Sequence, residues 1–271
     1  MIADWMDTIA PFILAILQGI TEFLPISSSG HLVLVNQLME VDRGLAFDLV
    51  LHLATLISVV VFYRKDIADI AVGCVREIRT SGDRAYLRFI GYLIAATILT
   101  AVIGLLLNDW IESRLRSVAI VGILLIANAG ILWSSRKFGL FNISQNGGLT
   151  LKSALILGLA QGLAVLPGIS RSGTTITAAL LMGIDRKDCA KISFLLSIPV
   201  ILGAVVLHLK DFSQFSTSGL SIIIAASILC AIVGYASLVF LNRLLKKANF
   251  HYFAPYCLGV GILTLVLGLV F

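Results

Sequence analysis

Two short polar motifs, both rich in hydroxyl groups and glycine, interrupt an otherwise apolar chain. The first runs from Gln18-Gly19-Ile20 to Ile26-Ser27-Ser28-Ser29-Gly30, and the second runs from Gln161-Gly162-Leu163 to Ile169-Ser170-Arg171-Ser172-Gly173. Hydrocarbon does not tolerate exposed polar backbone, so a break of this kind persists only where it is buried or lines a cavity. A break that recurs in both copies of an internal repeat indicates a binding site.

The motifs also carry ionisable side chains that could do chemistry. Glu22 lies four residues after Gln18, so both point to one face of a helix, and His31 directly follows the serine turn. Arg171 occupies, in the second copy, the register position of Ser28. A buried ion pair between Glu22 and Arg171 that locks the two halves is the structural alternative, but it leaves the hydroxyl groups unexplained.

Together the two turns predict a phosphate site. Each returning helix begins at its motif, so its free N–H groups and positive dipole end face the cavity, and Arg171 adds a planar fork suited to phosphate oxygens. Glu22 and His31 then place a carboxylate and an imidazole beside the phosphate, as hydrolysis requires. We expect Asp48 and His52 to be interfacial and structural residues. The predicted phosphate ligands are Ser27, Ser28, Ser29, Ser170, Arg171, Ser172, Thr174 and Thr175, with Gly30, Gly168 and Gly173 letting the backbone come close.

Composition indicates a membrane protein. The chain is 59% hydrophobic and 13% charged, with a mean hydropathy of +1.02, which excludes an ordinary soluble domain. Only helices and closed barrels satisfy their backbone in lipid, and long apolar runs without alternation favour helices. The N-terminus shows no removable signal peptide. The net charge of +5 is interpreted as membrane topology, not nucleic-acid binding, and the four scattered cysteines predict neither a zinc site nor a disulfide framework.

Six apolar runs approach the roughly 20 residues that cross a bilayer as a helix: 46–63, 87–107, 117–133, 190–208, 219–240 and 252–271. The motif segments differ. Residues 9–24 and 152–166 are each followed by the polar break and a short arm, 31–39 and 174–184. An arm of about 10 residues rises only about 15 Å. The sequence therefore predicts an all-α polytopic fold with six transmembrane helices and two re-entrant hairpins.

An odd number of crossings in each half predicts two inverted repeats, about 1–140 and 150–271, within one membrane domain. Residues 138–149, with Asn146-Gly147-Gly148, would link them. Charge supports this topology, because cytoplasmic segments carry excess Lys and Arg. Segments 64–88, 134–152, 184–191 and 241–251 hold fifteen of the twenty Lys and Arg residues; outside segments hold Arg43, Arg114, Arg116 and Lys210. The hairpins would enter from opposite faces, with their tips meeting near the midplane.

The stretches Gln18–His31 and Leu166–Thr175 closely resemble the two signatures of the undecaprenyl-diphosphate phosphatase family, also called the bacitracin-resistance protein family. The resemblance covers essentially the whole chain. It implies a bacterial inner-membrane enzyme that removes one phosphate from the C55 carrier diphosphate and so recycles the carrier for cell-wall polymers. It also implies interdigitated inverted repeats, two re-entrant hairpins, usually a homodimer, and a site open to the periplasmic or outer face.

The resemblance assigns roles to the motif residues. Gln18 and Glu22 match the family's first acidic pair, Ser28 and His31 its serine and histidine, and the second signature places Ser170, Arg171, Ser172 and Thr175 in the phosphate site. Family activity depends on a divalent cation, commonly Mg²⁺ or Ca²⁺. Many members have glutamate where this chain has Gln18, and an amide oxygen adds no charge. The expected metal ligands are therefore Glu22, substrate oxygens and water, with Gln18 as a neutral candidate.

The sequence is compatible with two mechanisms and with a second function. The nucleophile is Ser28 with His31 as its base, which we favour, or a water activated by His31 or Glu22. The prenyl tail would lie in apolar grooves open to lipid. A transporter or flippase could use the same inverted repeats and anion cradle, but transport alone does not require Glu22 beside His31. A structural scaffold would leave the duplicated motif unexplained.

Overall fold

The computed structural model describes residues 2–40, 43–80, 82–114, 117–144, 148–214, 219–247 and 249–270, and every regular element in these ranges is helical. Two short 3-10 segments, Leu209–Gln214 and Phe250–Tyr252, accompany the α-helices. The α-helices are α1 Ile2–Thr21, α2 Ser28–Met39, α3 Gly44–Phe62, α4 Arg64–Arg79, α5 Ala85–Arg114, α6 Val118–Ser134, α7 Leu151–Leu163, α8 Arg171–Leu181, α9 Arg186–Leu207, α10 Leu220–Lys246 and α11 Phe253–Val270.

Five helical stretches are long and apolar enough to cross a membrane: 44–62, 85–107, 186–207, 220–246 and 250–270. They correspond to five of the six predicted runs, and the prediction of an all-helical polytopic membrane protein is confirmed. The sixth run forms α6, whose 17 residues put it at the lower end of the length that spans a bilayer. The shorter apolar helices Thr8–Thr21 and Leu151–Leu163 belong to the motif segments.

The motif segments form two helical hairpins, α1–α2 and α7–α8. The returning helices α2 and α8 have 12 and 11 residues, so each rises about 16–18 Å, half the thickness of a hydrocarbon core. Helix α2 begins at Ser28, before the predicted arm, because Ser27 caps it. Helix α8 stops at Leu181, where Gly183 follows with a φ of +82°. That the hairpins enter and leave the bilayer by one face stays a prediction.

The first helix of each hairpin packs against a long helix from the other half of the sequence. Helix α1 lies mainly against α10, α7 lies against α5, and α6 and α11 pair along their lengths. This pairing makes the two halves interdigitate, although the inverted repeat itself remains a prediction. The predicted linker lies along the end of α8, where the Gly139 and Phe141 amides donate to the Leu180 and Leu181 carbonyls. Its residues Asn146 and Gly147, like Arg116 of the topology prediction, lie outside the described residues.

The basic segment 64–88, expected only as a cytoplasmic loop, contains the amphipathic helix α4. Its buried Glu77 carboxylate accepts hydrogen bonds from the Tyr86 and Leu87 amides at 3.1 and 3.0 Å. Those amides are in the first turn of α5, where no intrahelical partner exists. The prediction for this segment rested on its Lys and Arg residues alone. The helical periodicity of its apolar residues was the signal that indicates α4.

Two helix pairs pack so closely that only glycine fits between them. A Cβ atom at Gly122 of α6 would lie 2.4 Å from the Leu265 nitrogen of α11, and one at Gly158 of α7 would lie 2.5 Å from the Ala96 carbonyl oxygen of α5. Small residues let membrane helices approach closely enough for van der Waals contact along the backbone. The second seam positions the α7–α8 hairpin.

We expect Gly122→Ala to destabilise the protein by about 1–3 kcal/mol, because the added methyl group overpacks the α6–α11 seam. Gly130→Ala in the same helix is the matched control, since a Cβ there meets nothing within 4 Å. Thermal unfolding in detergent measures both. Equal midpoints for the two variants would contradict this account of the seam.

Candidate active site

The two hairpin tips share the same capping hydrogen bond. The Ser27 side chain accepts a hydrogen bond from the Gly30 amide at 3.2 Å, and the Ser170 side chain accepts one from the Gly173 amide at 3.0 Å. Both serines are therefore N-caps of the returning helices, and each satisfies an amide that the helix leaves free. The caps occupy equivalent motif positions, so the duplicated sequence produces a duplicated cap, although Ser27 has a φ of +70° and Ser170 one of −80°.

The tips touch through their glycines. A Cβ atom at Gly30 would lie 3.1 Å from the Gly168 Cα atom. Gly168 has a φ of +106°, and a Cβ on it would lie 2.8 Å from the Val121 carbonyl oxygen. This backbone conformation disfavours an L side chain. The tips therefore approach as closely as the sequence analysis predicted.

Asn128 of α6 joins the tips with a single side-chain amide. Its Nδ2 donates to the Pro25 carbonyl oxygen of the first tip at 3.1 Å, and its Oδ1 accepts from the Ser170 amide of the second tip at 3.0 Å. The residue is fully buried. Because it satisfies one backbone group on each tip, Asn128 fixes their relative position.

Glu22 and Arg171 connect the tips by charge. The Arg171 Nη2 atom donates to the Glu22 Oε1 atom, and the two side chains are 17% and 5% exposed. The ion pair considered as the structural alternative is therefore formed. It does not exclude a functional role, because both residues also line a cavity.

The second carboxylate oxygen of Glu22 contacts the predicted nucleophile. Ser28 Oγ donates to Glu22 Oε2 at 2.7 Å, and Gln18 Nε2 donates to the same oxygen at 3.1 Å. A carboxylate that accepts the serine hydrogen bond is placed to take its proton. The structure thus brings together Gln18, Glu22, Ser28 and Arg171.

The cavity between the tips has a volume of about 200 Å³. Five predicted residues line it: Glu22, Ser28, Ser29, Ser170 and Arg171. The other polar lining residues are Thr21, His52, Thr100, Gln161 and Ser197. Apolar residues complete the wall, namely Ala164, Val165, Ile169, Val200 and Ile201. The cavity is thus polar at the tips and apolar beyond them.

Five predicted phosphate ligands lie outside this wall, namely Ser27, Ser172, Gly173, Thr174 and Thr175. The buried Thr174 Oγ1 has no hydrogen-bond partner in the protein, and the other four make internal contacts. Ser27 caps α2, and the Gly173 amide is taken by the Ser170 cap. Ser172 Oγ lies 3.2 Å from Ser170 Oγ, and Thr175 Oγ1 donates to the Arg171 carbonyl oxygen at 2.8 Å. These contacts support the tip. The expectation that every hydroxyl of the motifs lines the cavity is corrected, because helical geometry turns some of them toward the protein interior.

His31 is not placed beside Ser28. Its Nδ1 lies 2.8 Å from the Ser27 carbonyl oxygen, which can only accept, so Nδ1 donates. Its Nε2 then accepts from the Tyr256 hydroxyl at 2.9 Å. Both ring nitrogens are engaged, and His31 is not among the residues lining the cavity. The expected serine–histidine pair is corrected to a serine–glutamate pair.

His52, expected to be structural, does line the cavity. Its Nδ1 donates to the Asp48 carbonyl oxygen at 2.8 Å, and its Nε2 lies 3.5 Å from Glu22 Oε2. Sequence reasoning missed this position because α3 carries no copy of the motif. The available signal was the ionisable side chain in an apolar helix.

Several buried polar atoms at the tips have no hydrogen-bond partner in the protein, among them Arg171 Nη1 and Gln18 Oε1. An unpaired buried donor or acceptor costs about 1–3 kcal/mol. Arg171 lines the cavity, so its free nitrogen faces a space where a ligand fits, whereas Gln18 lies behind the wall, beside Glu22. Within the described ranges, no cluster of three or more His, Cys, Asp or Glu side chains could hold a metal alone. The Glu22 carboxylate and the free Gln18 oxygen nevertheless fit a hard cation that also binds phosphate oxygens and water.

The fold and site define a polytopic membrane protein with a polar cavity, lined by an arginine and serines, between two helical hairpins. A family model described as bacitracin resistance protein BacA matches residues 11–263. The chain belongs to this family.

Curated relatives cover nearly the whole chain. The undecaprenyl-diphosphatase of Methanosphaera stadtmanae is 41% identical, covering 98% of this chain and 99% of the relative. That of Alcanivorax borkumensis is 42% identical over 96% of this chain and 98% of the relative. The undecaprenyl-diphosphatase 2 of Bacillus thuringiensis is 40% identical over 94% of this chain and 95% of the relative.

We expect Asn128→Ala to lower the stability of the tips, because it leaves the Ser170 amide unpaired, at about 1–3 kcal/mol, and leaves the Pro25 carbonyl with only the weak Cys257 thiol donor. Asn242→Ala is the matched control, since Asn242 bonds the Leu238 carbonyl and the Tyr63 hydroxyl, away from both tips. Thermal unfolding in detergent compares the two. A smaller loss for Asn128→Ala than for Asn242→Ala would contradict the bridging role.

Proposed function

We propose that the protein hydrolyses undecaprenyl diphosphate to undecaprenyl phosphate and inorganic phosphate, which recycles the lipid carrier for cell-wall synthesis and confers resistance to bacitracin. The family membership and the names of the relatives support this activity. The observation that carries the mechanism is the chain of partly buried contacts from Ser28 to Glu22 to Arg171 between the tips. It combines a nucleophile, a base and a fixed positive charge.

The diphosphate would bind in the cavity between the tips, beside one free guanidinium nitrogen and two serine side chains. The free Nη1 of Arg171 and the Ser29 and Ser170 side chains line the same cavity. Helices α2 and α8 begin at the tips, and a helix N-terminus favours an anion. These groups would stabilise the charge that spreads over the phosphoryl oxygens in the transition state.

Glu22 would activate Ser28. The carboxylate accepts the hydroxyl proton, and the serine oxygen forms a bond to the terminal phosphorus while the bond from that phosphorus to the bridging oxygen breaks. Undecaprenyl phosphate leaves with the bridging oxygen, and a water then hydrolyses the phosphoserine to release inorganic phosphate. The 2.7 Å contact between Ser28 and Glu22 favours the serine over a directly attacking water, and Glu22 replaces His31 as the base.

A divalent cation, Mg²⁺ or Ca²⁺, would be held by Glu22 and Gln18 together with substrate oxygens and water. When bound, it would neutralise charge on the diphosphate and the leaving group. The single carboxylate suits a cation that depends on the substrate for its remaining ligands.

The cellular arrangement is also part of the proposal. The charge pattern favours two re-entrant hairpins. The resemblance to the family favours an inner, or plasma, membrane, with the site open to the periplasmic or outer face. The resemblance to the family further favours a homodimer. Lipid flipping is the competing function, and a phosphate-release assay in detergent separates the two, because no gradient exists there.

Ser28→Ala should abolish phosphate release from undecaprenyl diphosphate, since the variant retains the fold but lacks the attacking oxygen. Ser227→Ala in α10 is the matched control, because its hydroxyl bonds only the Ile223 carbonyl of its own helix. Phosphate release by purified protein in detergent is the measurement. Wild-type turnover by Ser28→Ala would leave only activated water as the nucleophile.

Chelation should remove most of the activity, because the cation balances charge on the diphosphate. Phosphate release is measured with and without EDTA and after adding back Mg²⁺ or Ca²⁺. Gln18→Glu should lower the cation concentration needed for half-maximal activity, because it adds a second carboxylate. Full turnover of both forms in EDTA would exclude a required cation.

A further inference from the structure

A second cavity, which we call the tail cleft, lies between α4, α5 and α9. Its volume is about 300 Å³. One stripe of α5 forms its longest wall, and the stripe consists of Ile90, Leu93, Ile94, Thr97 and Ile98. The Thr97 hydroxyl donates to the Leu93 carbonyl of its own helix at 2.8 Å, so this wall presents hydrocarbon. A cavity of this kind suits an apolar ligand.

The lining of the tail cleft adjoins the lining of the polar cavity on both helices. On α5, Thr97 lines the cleft and Thr100, one turn later on the same face, lines the polar cavity. On α9, Ile198 lines the cleft and Ile201 lines the polar cavity. Residues three apart on a helix are surface neighbours. The two cavities therefore lie end to end along the α5–α9 seam.

The change in chemistry along this seam matches an amphiphile. The polar cavity holds Glu22, Ser28 and Arg171, whereas the tail cleft is lined almost entirely by aliphatic side chains. A molecule whose phosphate lies at the tips would place the carbons bonded to that phosphate at the entrance of the cleft. The cleft also faces outward, because Ile94 and Ile98 are 54% and 60% exposed, so a long chain could continue into lipid.

We propose that the tail cleft binds the isoprene units that follow the first one in the polyprenyl diphosphate, an inference that rests on the proposed function. Its volume is at the lower end of the roughly 300–1,000 Å³ found for ligand pockets, so it holds an early part of the chain and leaves the remainder in the bilayer. Lipid is as apolar as the cleft. Binding there therefore contributes by orienting the diphosphate on Ser28, which raises turnover through positioning.

The test compares two soluble substrates that differ in reach. A C5 prenyl diphosphate ends near the mouth of the cleft, and a C15 prenyl diphosphate extends into it. Wild-type protein should have the higher kcat/KM for the C15 substrate. Ile94→Trp fills the cleft, so it should lower the C15-to-C5 ratio of kcat/KM at least about five-fold. The C5 value should stay nearly unchanged, because binding of the distal chain promotes the reaction only for a substrate that is long enough to make that contact.

Ile123→Trp is the matched control, because Ile123 of α6 is 53% exposed and does not line the cleft. An unchanged ratio in Ile94→Trp, or an equal fall in both substrates, would overturn the inference. If the wild-type protein hydrolyses neither of these substrates and also fails to hydrolyse undecaprenyl diphosphate, that result would instead contradict the proposed function.

A second measurement does not depend on a folded tryptophan variant. A C15 diphosphate with a photoreactive group on its third isoprene unit should cross-link to the cleft-lining residues of α4, α5 or α9 in the wild-type protein, and inorganic pyrophosphate should compete. Cross-links confined to other helices would overturn the inference. A photoreactive phospholipid provides a further check. If its acyl chain labels the cleft and a polyprenyl diphosphate fails to displace it, the cleft is an ordinary lipid contact and the inference is overturned.

Discussion

The ion pair between Glu22 and Arg171 is the interaction on which the site depends. Charged side chains within a bilayer are costly by about 3 kcal/mol or more each, and each residue here lies on a different hairpin. Bringing the tips together lets the charges compensate one another. The same contact places a carboxylate against Ser28 and leaves one guanidinium nitrogen without a partner. The pair therefore both joins the hairpins and supplies the charges that a phosphate site needs.

The backbone around this pair is satisfied in ways that only particular residues allow. Ser27 and Ser170 cap the returning helices, and Asn128 bonds one backbone group on each tip. Non-helical backbone is tolerated at membrane depth only where protein or a cavity supplies its partners. Gly30 and Gly168 then permit the close approach. The two tips act as one rigid unit because each of these contacts fixes a different group.

Much of this arrangement could be predicted from the duplicated motif. Hydroxyl-bearing residues and glycines inside an apolar sequence predict a buried interruption of the helix, and the second copy of the motif predicts a second interruption. The paired tips and the residues at their centre were therefore predictable. The direction of individual side chains did not follow. His31 turns to Tyr256 of α11, a contact between residues far apart in sequence that no local pattern encodes. Asn128 and His52 were missed for the same reason, since each reaches the site from a helix outside the motifs.

A structure with a bound, non-hydrolysable methylene diphosphonate analogue of a prenyl diphosphate tests the central claim most directly. The account predicts the terminal phosphonate between the two tips, in contact with Ser28 and with the guanidinium of Arg171. A phosphonate bound away from the tips, or bound with Arg171 still turned wholly to Glu22, would contradict a single site shared by the two hairpins.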